Sequence, residues 1–193
     1  RGSLDLPGRQ EELLKAVSAL GKPVVLVLLN GRPLSINWAA EHIPAILEGW
    51  EPGSEGGNAV ADILFGDVNP GGKLPVCFPR NGNHAPLYYA RVLTHLPEDR
   101  PNYRSRYWDG PTTPLYPFGF GLSYTSFEVS NLKLSASQIK VGEAVTVTAD
   151  VTNTGKVAGD EVVQLYIHQK WGSDSRPMRE LKGFERLTLQ PGE

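Results

Sequence analysis

Lys22-Pro-Val-Val-Leu-Val-Leu-Leu-Asn-Gly-Arg-Pro33 is the stretch on which the reading of this chain turns. Residues 24–29 are apolar without alternation, the pattern of a strand covered on both faces in a parallel sheet. Upstream, Leu13, Val17 and Leu20 recur at helical spacing, with Leu14 beside them. Glu11 and Glu12 fall in the first turn, where the helix dipole favours acids, and Gly21 and Pro23 end the run. Downstream, Ala45-Ile-Leu-Glu-Gly-Trp50 repeats the apolar theme more weakly. Residues 54–65 predict a second helix, with Val60, Ile63 and Leu64 on one face and Gly66 as its stop. A further strand is expected after it. Helix, strand, strand, helix, strand predicts an α/β layered sheet over residues 1–78.

The pattern then changes twice. Residues 79–123 are rich in Pro, Tyr, Arg and Asn and show no period, which predicts a long irregular linker or wrapping segment. Tyr88 and Tyr89 belong to it, as do Arg106, Tyr107, Trp108 and Asp109. The aromatic run over residues 115–124 has the composition of a seam between domains. In residues 124–193, Val145, Val147, Ala149 and Val151 alternate with polar residues, as in a half-buried strand. Asn153-Thr-Gly155 supplies a turn. Val163, Leu165 and Ile167 share one face of another strand, and residues 184–189 form a third. About four strands are legible, where a complete β-sandwich of this type has about seven. Gln190-Pro-Gly-Glu193 reads as a turn into a further strand, and Arg1-Gly-Ser-Leu-Asp-Leu-Pro7 reads like the middle of a protein. Both ends are therefore expected to be cuts.

Composition excludes several functional classes. The 193 residues carry a net charge of −2, without the basic excess of a nucleic-acid-binding protein. No apolar run approaches the length of a membrane span. The single cysteine, Cys77, permits neither an intrachain disulfide nor a cysteine-rich zinc site. His42, His84, His95 and His168 lack close metal spacing. Pro52-Gly-Ser-Glu-Gly-Gly57 lacks the lysine and hydroxyl residue of a phosphate loop. Phe118-Gly-Phe-Gly-Leu-Ser123 lacks the strand-before, helix-after context of a nucleotide loop.

Four residues are candidates for binding. Asn30 and Arg32 follow the apolar strand, and ligands of open α/β sheets bind beyond the carboxyl ends of strands. The bland alternative is a turn with an exposed arginine. Trp50 ends the next strand and offers a sugar-stacking face, although a large aromatic more often packs into a core. Glu55 lies in a glycine-rich loop, where a first-turn carboxylate that complements a helix N-terminus is the simpler reading.

Several segments resemble glycoside hydrolase family 3, in matching order over nearly the whole chain. They are residues 22–33, Trp50-Glu-Pro-Gly-Ser-Glu-Gly-Gly-Asn-Ala59 and Ile63-Leu-Phe-Gly-Asp-Val-Asn-Pro-Gly-Gly-Lys-Leu-Pro75. Arg106-Tyr-Trp-Asp109, Leu115-Tyr-Pro-Phe-Gly-Phe-Gly-Leu-Ser-Tyr-Thr125 and Leu181-Lys-Gly-Phe184 complete the set. The resemblance implies the C-terminal part of an α/β sandwich domain followed by an incomplete fibronectin type III-like sandwich. It implies a retaining β-glucosidase acting on terminal, non-reducing β-D-glucosyl residues with two carboxyl groups and no cofactor or metal. A β-xylosidase or broad exo-β-glycanase is the nearest alternative, and a non-catalytic carbohydrate- or protein-binding module is the alternative from another class. The nucleophile Asp is expected in an N-terminal barrel domain and the acid/base Glu just before residue 1. Residues 1–193 would then hold no catalytic residue and be inactive alone, with Asn30, Arg32, Trp50 and Glu55 as substrate-side candidates. The expected partners are the remainder of the same enzyme and a β-glucoside; a homodimer is left open. The resemblance favours a periplasmic or secreted parent enzyme.

Overall fold

Gln10–Ser18 forms helix α1, with Glu11 and Glu12 in its first turn and Lys15 in its last. The structure is a computed structural model, in which residues 2–92 and 110–193 are described. Arg106, Tyr107, Trp108, Asp109 and His95 lie outside the described residues. The apolar stripe of α1 is divided: Leu14 packs against the core, whereas Leu13 and Leu20 stay exposed.

Strands β1 (Val25–Leu28) and β2 (Ala45–Glu48) pair in parallel, from Val25 opposite Ala45 to Leu28 opposite Glu48. Burial along β1 is graded. Val25 is exposed, Leu28 is buried, and Leu29 beyond the strand is exposed again. The expectation of a strand covered on both faces throughout thus holds only at its carboxyl end, because the core lies under that end. The core gathers Leu28, Leu34, Ile36, Ala39, Ile43 and Phe78. Three of these flank or belong to α2 (Asn37–His42), the crossover helix that parallel strands require. Its six residues are too few to show a helical period, and the sequence did not reveal it.

Helix α3 (Gly56–Phe65) ends at Gly66, whose φ of 86° is the left-handed conformation that glycine adopts without steric cost. The strand expected after it does not form. Pro75 and Pro79 lack the N–H groups that a ladder needs. Residues 74–78 run instead against residues 115–120: the Leu74 N–H donates to the Phe120 carbonyl and the Phe78 N–H to the Tyr116 carbonyl, both at 2.8 Å. Phe78 is thereby buried beside Trp50 and Tyr116.

The remainder forms two antiparallel pairs. β3 (Phe127–Leu134) pairs with β4 (Val147–Asn153), and β5 (Gly159–Ile167) with β6 (Glu180–Leu189). A bulge at Asn131, φ 52°, interrupts the first pair. β6 begins earlier than the sequence suggests, because an irregularity near Lys182 breaks its alternation.

Residues between these parts touch both. The Tyr89 ring stacks on Phe118 with centroids 4.4 Å apart and meets Tyr166 of β5 edge-on, while Tyr88 is exposed. Lys73 pairs with Glu161 at 2.9 Å, with both side chains largely out of solvent. Asn69 donates to the Ala158 carbonyl and accepts from Ser123 Oγ and the Tyr124 N–H. Gly119 fits one close approach: its carbonyl accepts from Gln164 Nε2 at 3.1 Å, and a side chain there would strike Gln164.

Candidate functional site

Parallel pairing brings the carboxyl ends of β1 and β2 side by side, and the loops that leave them are bonded together. The Gly49 N–H donates to the Leu28 carbonyl at 2.9 Å, and the Asn30 N–H to the Trp50 carbonyl at 3.1 Å. Asn30 Nδ2 donates to the Arg32 carbonyl at 2.7 Å and lies 3.5 Å from Glu48 Oε2. Glu48 Oε1 accepts the Trp50 N–H at 2.9 Å. Arg32 reaches back to the N-terminal segment, where Nη2 donates to the Ser3 carbonyl at 2.9 Å. Asn30, Arg32 and Trp50 are therefore brought into one constellation around Glu48.

Two polar features of this end are out of balance. Asn30 Oδ1 is out of solvent and has no hydrogen-bond partner among the described residues. Leaving such an acceptor unmet costs about 1–3 kcal/mol, which a hydroxyl donor would recover. Burial pushes the Glu48 carboxyl above its ordinary value, although the Trp50 N–H and the Asn30 amide pull it back. Both Glu48 oxygens face protein donors, so this carboxylate is suited to holding a structure rather than to accepting a substrate proton.

The other candidates sit differently. The Trp50 ring packs on Phe78, with centroids 5.9 Å apart, and belongs to the edge of the core. Glu55 stands at the N-cap of α3 and accepts from Asn58 Nδ2 at 2.6 Å, with no side-chain bond to the helix backbone. No contact among the described residues joins it to Asn30, Arg32 or Trp50. Glu48 was missed in the sequence. Its signal is an acid closing an apolar strand just before Gly49 and Trp50. A concavity of about 400 Å³ lies away from this end, lined by Cys77, Tyr88, Tyr89, Arg91, Met178 and Arg179. Its aromatic and proline-rich wall is that of a seam. Among the described residues no group of three His, Cys, Asp or Glu is placed to hold a metal ion, and no helix is long and apolar enough to cross a membrane.

Comparison with known proteins places the chain. The profile of the glycosyl hydrolase family 3 C-terminal domain matches residues 1–124, and that of the fibronectin type III-like domain matches residues 161–193. A periplasmic beta-glucosidase of Salmonella typhimurium is 50% identical over 100% of this chain and 26% of its own length. A beta-xylosidase of Formosa agariphila is likewise 50% identical over 100% of the chain and 26% of its own length. The solved structure of a β-glucosidase from Erythrobacter marinus superposes with a TM-score of 0.92 at 47% identity, covering 100% of this chain and 25% of that one. The chain thus spans about a quarter of the length of the relatives it matches. With its α/β layer followed by paired antiparallel strands, it belongs to glycoside hydrolase family 3, as a C-terminal domain joined to a fibronectin type III-like unit.

Proposed function

We propose that the chain serves as the C-terminal quarter of a retaining β-glucosidase that hydrolyses terminal, non-reducing β-D-glucosyl residues. The observation that carries this reading is the 50% identity to a periplasmic β-glucosidase along the whole chain. In this reading the nucleophile Asp and the acid/base Glu belong to other parts of the enzyme. The chain supplies one wall of the substrate cleft, with Asn30 and Arg32 as its polar face. Asn30 Oδ1 is an acceptor unmet among the described residues, and it would reach a sugar hydroxyl only where the loop gives way. Trp50 contributes through its backbone and its packing, and Glu55 through the start of α3. The paired strands after residue 124 buttress the wall through Asn69, Lys73 and Tyr89.

The equal identity to a β-xylosidase favours a second reading, in which the parent enzyme removes β-xylosyl residues. Steady-state hydrolysis of aryl β-D-glucoside and aryl β-D-xyloside by the intact enzyme decides between them. The first reading expects a higher kcat/KM on the glucoside. A preference for the xyloside selects the second, and turnover of neither sinks the glycosidase reading. The 193 residues expressed alone are expected to hydrolyse neither substrate.

A further inference from the structure

We propose that Glu48 is a positioning residue of the strand-end wall, acting on no substrate atom itself but holding Asn30 and the Trp50 turn where they meet the glycoside. The proposal rests on the reading above that this wall borders the substrate. Position is the first argument. Glu48 is the last residue of β2 and lies opposite Leu28, the last residue of β1, where both strands release their loops. One carboxylate therefore reaches both loops: Oε1 takes the Trp50 N–H at 2.9 Å, and Oε2 lies 3.5 Å from Asn30 Nδ2.

What it holds needs holding. Trp50 has a φ of 50°, a conformation that a bulky residue rarely adopts and that persists only when its surroundings over-determine it. Glu48 fixes the N–H of this residue, and the Asn30 N–H fixes its carbonyl. The Asn30 side chain is oriented by the same group. Its amide nitrogen is directed at the Arg32 carbonyl and Glu48, which leaves Oδ1 as the unused face of the amide. An ionised carboxylate offers acceptors on both oxygens, as two N–H donors require, whereas glutamine would offer one acceptor and one donor. Glu48 is half-buried, and burial raises its carboxyl while the two donors lower it. A group that is costly to bury and already bonded to its neighbours is an unusual choice for a merely solvated strand end.

The test uses the intact enzyme, an aryl β-glycoside and two substitutions. Glu48→Ala removes both acceptors, and the expected result is a KM raised about tenfold with kcat changed less than about threefold, the mark of lost wall contacts shared by ground and transition states. Glu48→Gln keeps the bond to the Trp50 N–H but turns a donor toward Asn30 Nδ2, and is expected to raise KM by about threefold to fivefold, less than Glu48→Ala does. A variant that merely folded poorly would lower the active fraction, and so the apparent kcat, without moving KM. Hydrogen exchange at the Trp50 amide gives a readout independent of turnover, expected at least about tenfold faster in Glu48→Ala than in wild type and little changed in Glu48→Gln. A wild-type KM in Glu48→Ala, or an unchanged Trp50 amide, overturns the proposal. So does an equal collapse of kcat in both variants, which would make the carboxylate a reacting group. If the wild-type enzyme cleaves no glycoside while the Trp50 amide responds as expected, the brace stands and both its role toward substrate and the functional reading above are overturned.

Discussion

Asn30 and Asn153 both stand at or just past the end of a strand, one in the α/β layer and one among the antiparallel pairs. Asn153 is fully buried, and every polar group it has is matched. Its Nδ2 donates to the Val157 and Leu189 carbonyls, and its Oδ1 accepts from Thr125 Oγ1 and the Gly155 N–H. Its backbone bonds Glu193 and Gly192. Asn30 also spends its donors on the protein, yet its Oδ1 is left unmet. Two carboxylates differ in another way. Asp160 accepts from Arg186 twice and from Thr188, and those bonds hold its carboxyl below the ordinary value. Burial holds Glu48 above it. A saturated polar group is a joint, whereas an under-served one in a partly closed place has capacity left for a ligand.

The largest effect should come from breaking the saturated joint. Asn153→Ala strands two carbonyls, an N–H and a hydroxyl that its side chain now serves, and is expected to cost about 3 kcal/mol of local stability. In the intact enzyme, hydrogen exchange over residues 151–153 and 187–189 should accelerate at least about a hundredfold. Asn153→Asp, which cannot donate to Val157 and Leu189, should be no better. Unchanged protection would mean that saturation here is incidental. Catalysis on small aryl glycosides should change less than stability, because this joint lies in the buttress.

Next comes the unmet acceptor. Asn30→Ala in the intact enzyme is expected to lower kcat/KM about tenfold while costing under about 1 kcal/mol of stability, since the residue already carries one unmet atom. The two asparagines would then separate cleanly, one moving stability and the other activity. If Asn30→Ala unfolds the protein as Asn153→Ala does, the contrast between joint and site fails.

The contrast was only half legible in the sequence. The alternation at Val147 and Val151, the Gly66 stop and the apolar run of β1 rest on local periodicity and turn chemistry, and they appear where that chemistry puts them. Asn30 and Arg32 became candidates because they follow an apolar strand, and the structure brings them together with Trp50. Asn153 was legible only as a turn residue, since its partners Thr125 and Leu189 are far away in the chain. Glu48 looked like the polar end of a strand, because its meaning depends on a parallel register that brings it opposite Leu28. Helix α2 was too short for a period, and the strand after α3 was undone by Pro75 and Pro79. Periodicity reports which face is covered, and pairing reports which polar atoms meet.

The smallest predicted effect is also the one whose sign is most informative. Asp160 has a folded-state pKa below its unfolded value, so its contribution is present above the unfolded value and is lost as pH falls through the folded one. Asp160→Asn should therefore destabilise the β5–β6 pair at neutral pH, by no more than about 1 kcal/mol because the Arg186 pair is at the surface and screened. The difference from wild type should vanish in acid, below the ordinary carboxylate range. Glu48 has a raised folded-state pKa, so its relative contribution is fully present below the unfolded value and is lost as pH rises through the folded one. Relative to Glu48→Gln, wild type should lose ground between the ordinary carboxylate range and neutral pH, by a fraction of what full burial would give. Hydrogen exchange of residues 160–165 and 45–50 across this range measures both. Slopes of opposite sign at the two ends sustain the distinction between a carboxylate lowered by its donors and one raised by burial, and slopes of the same sign would dissolve it.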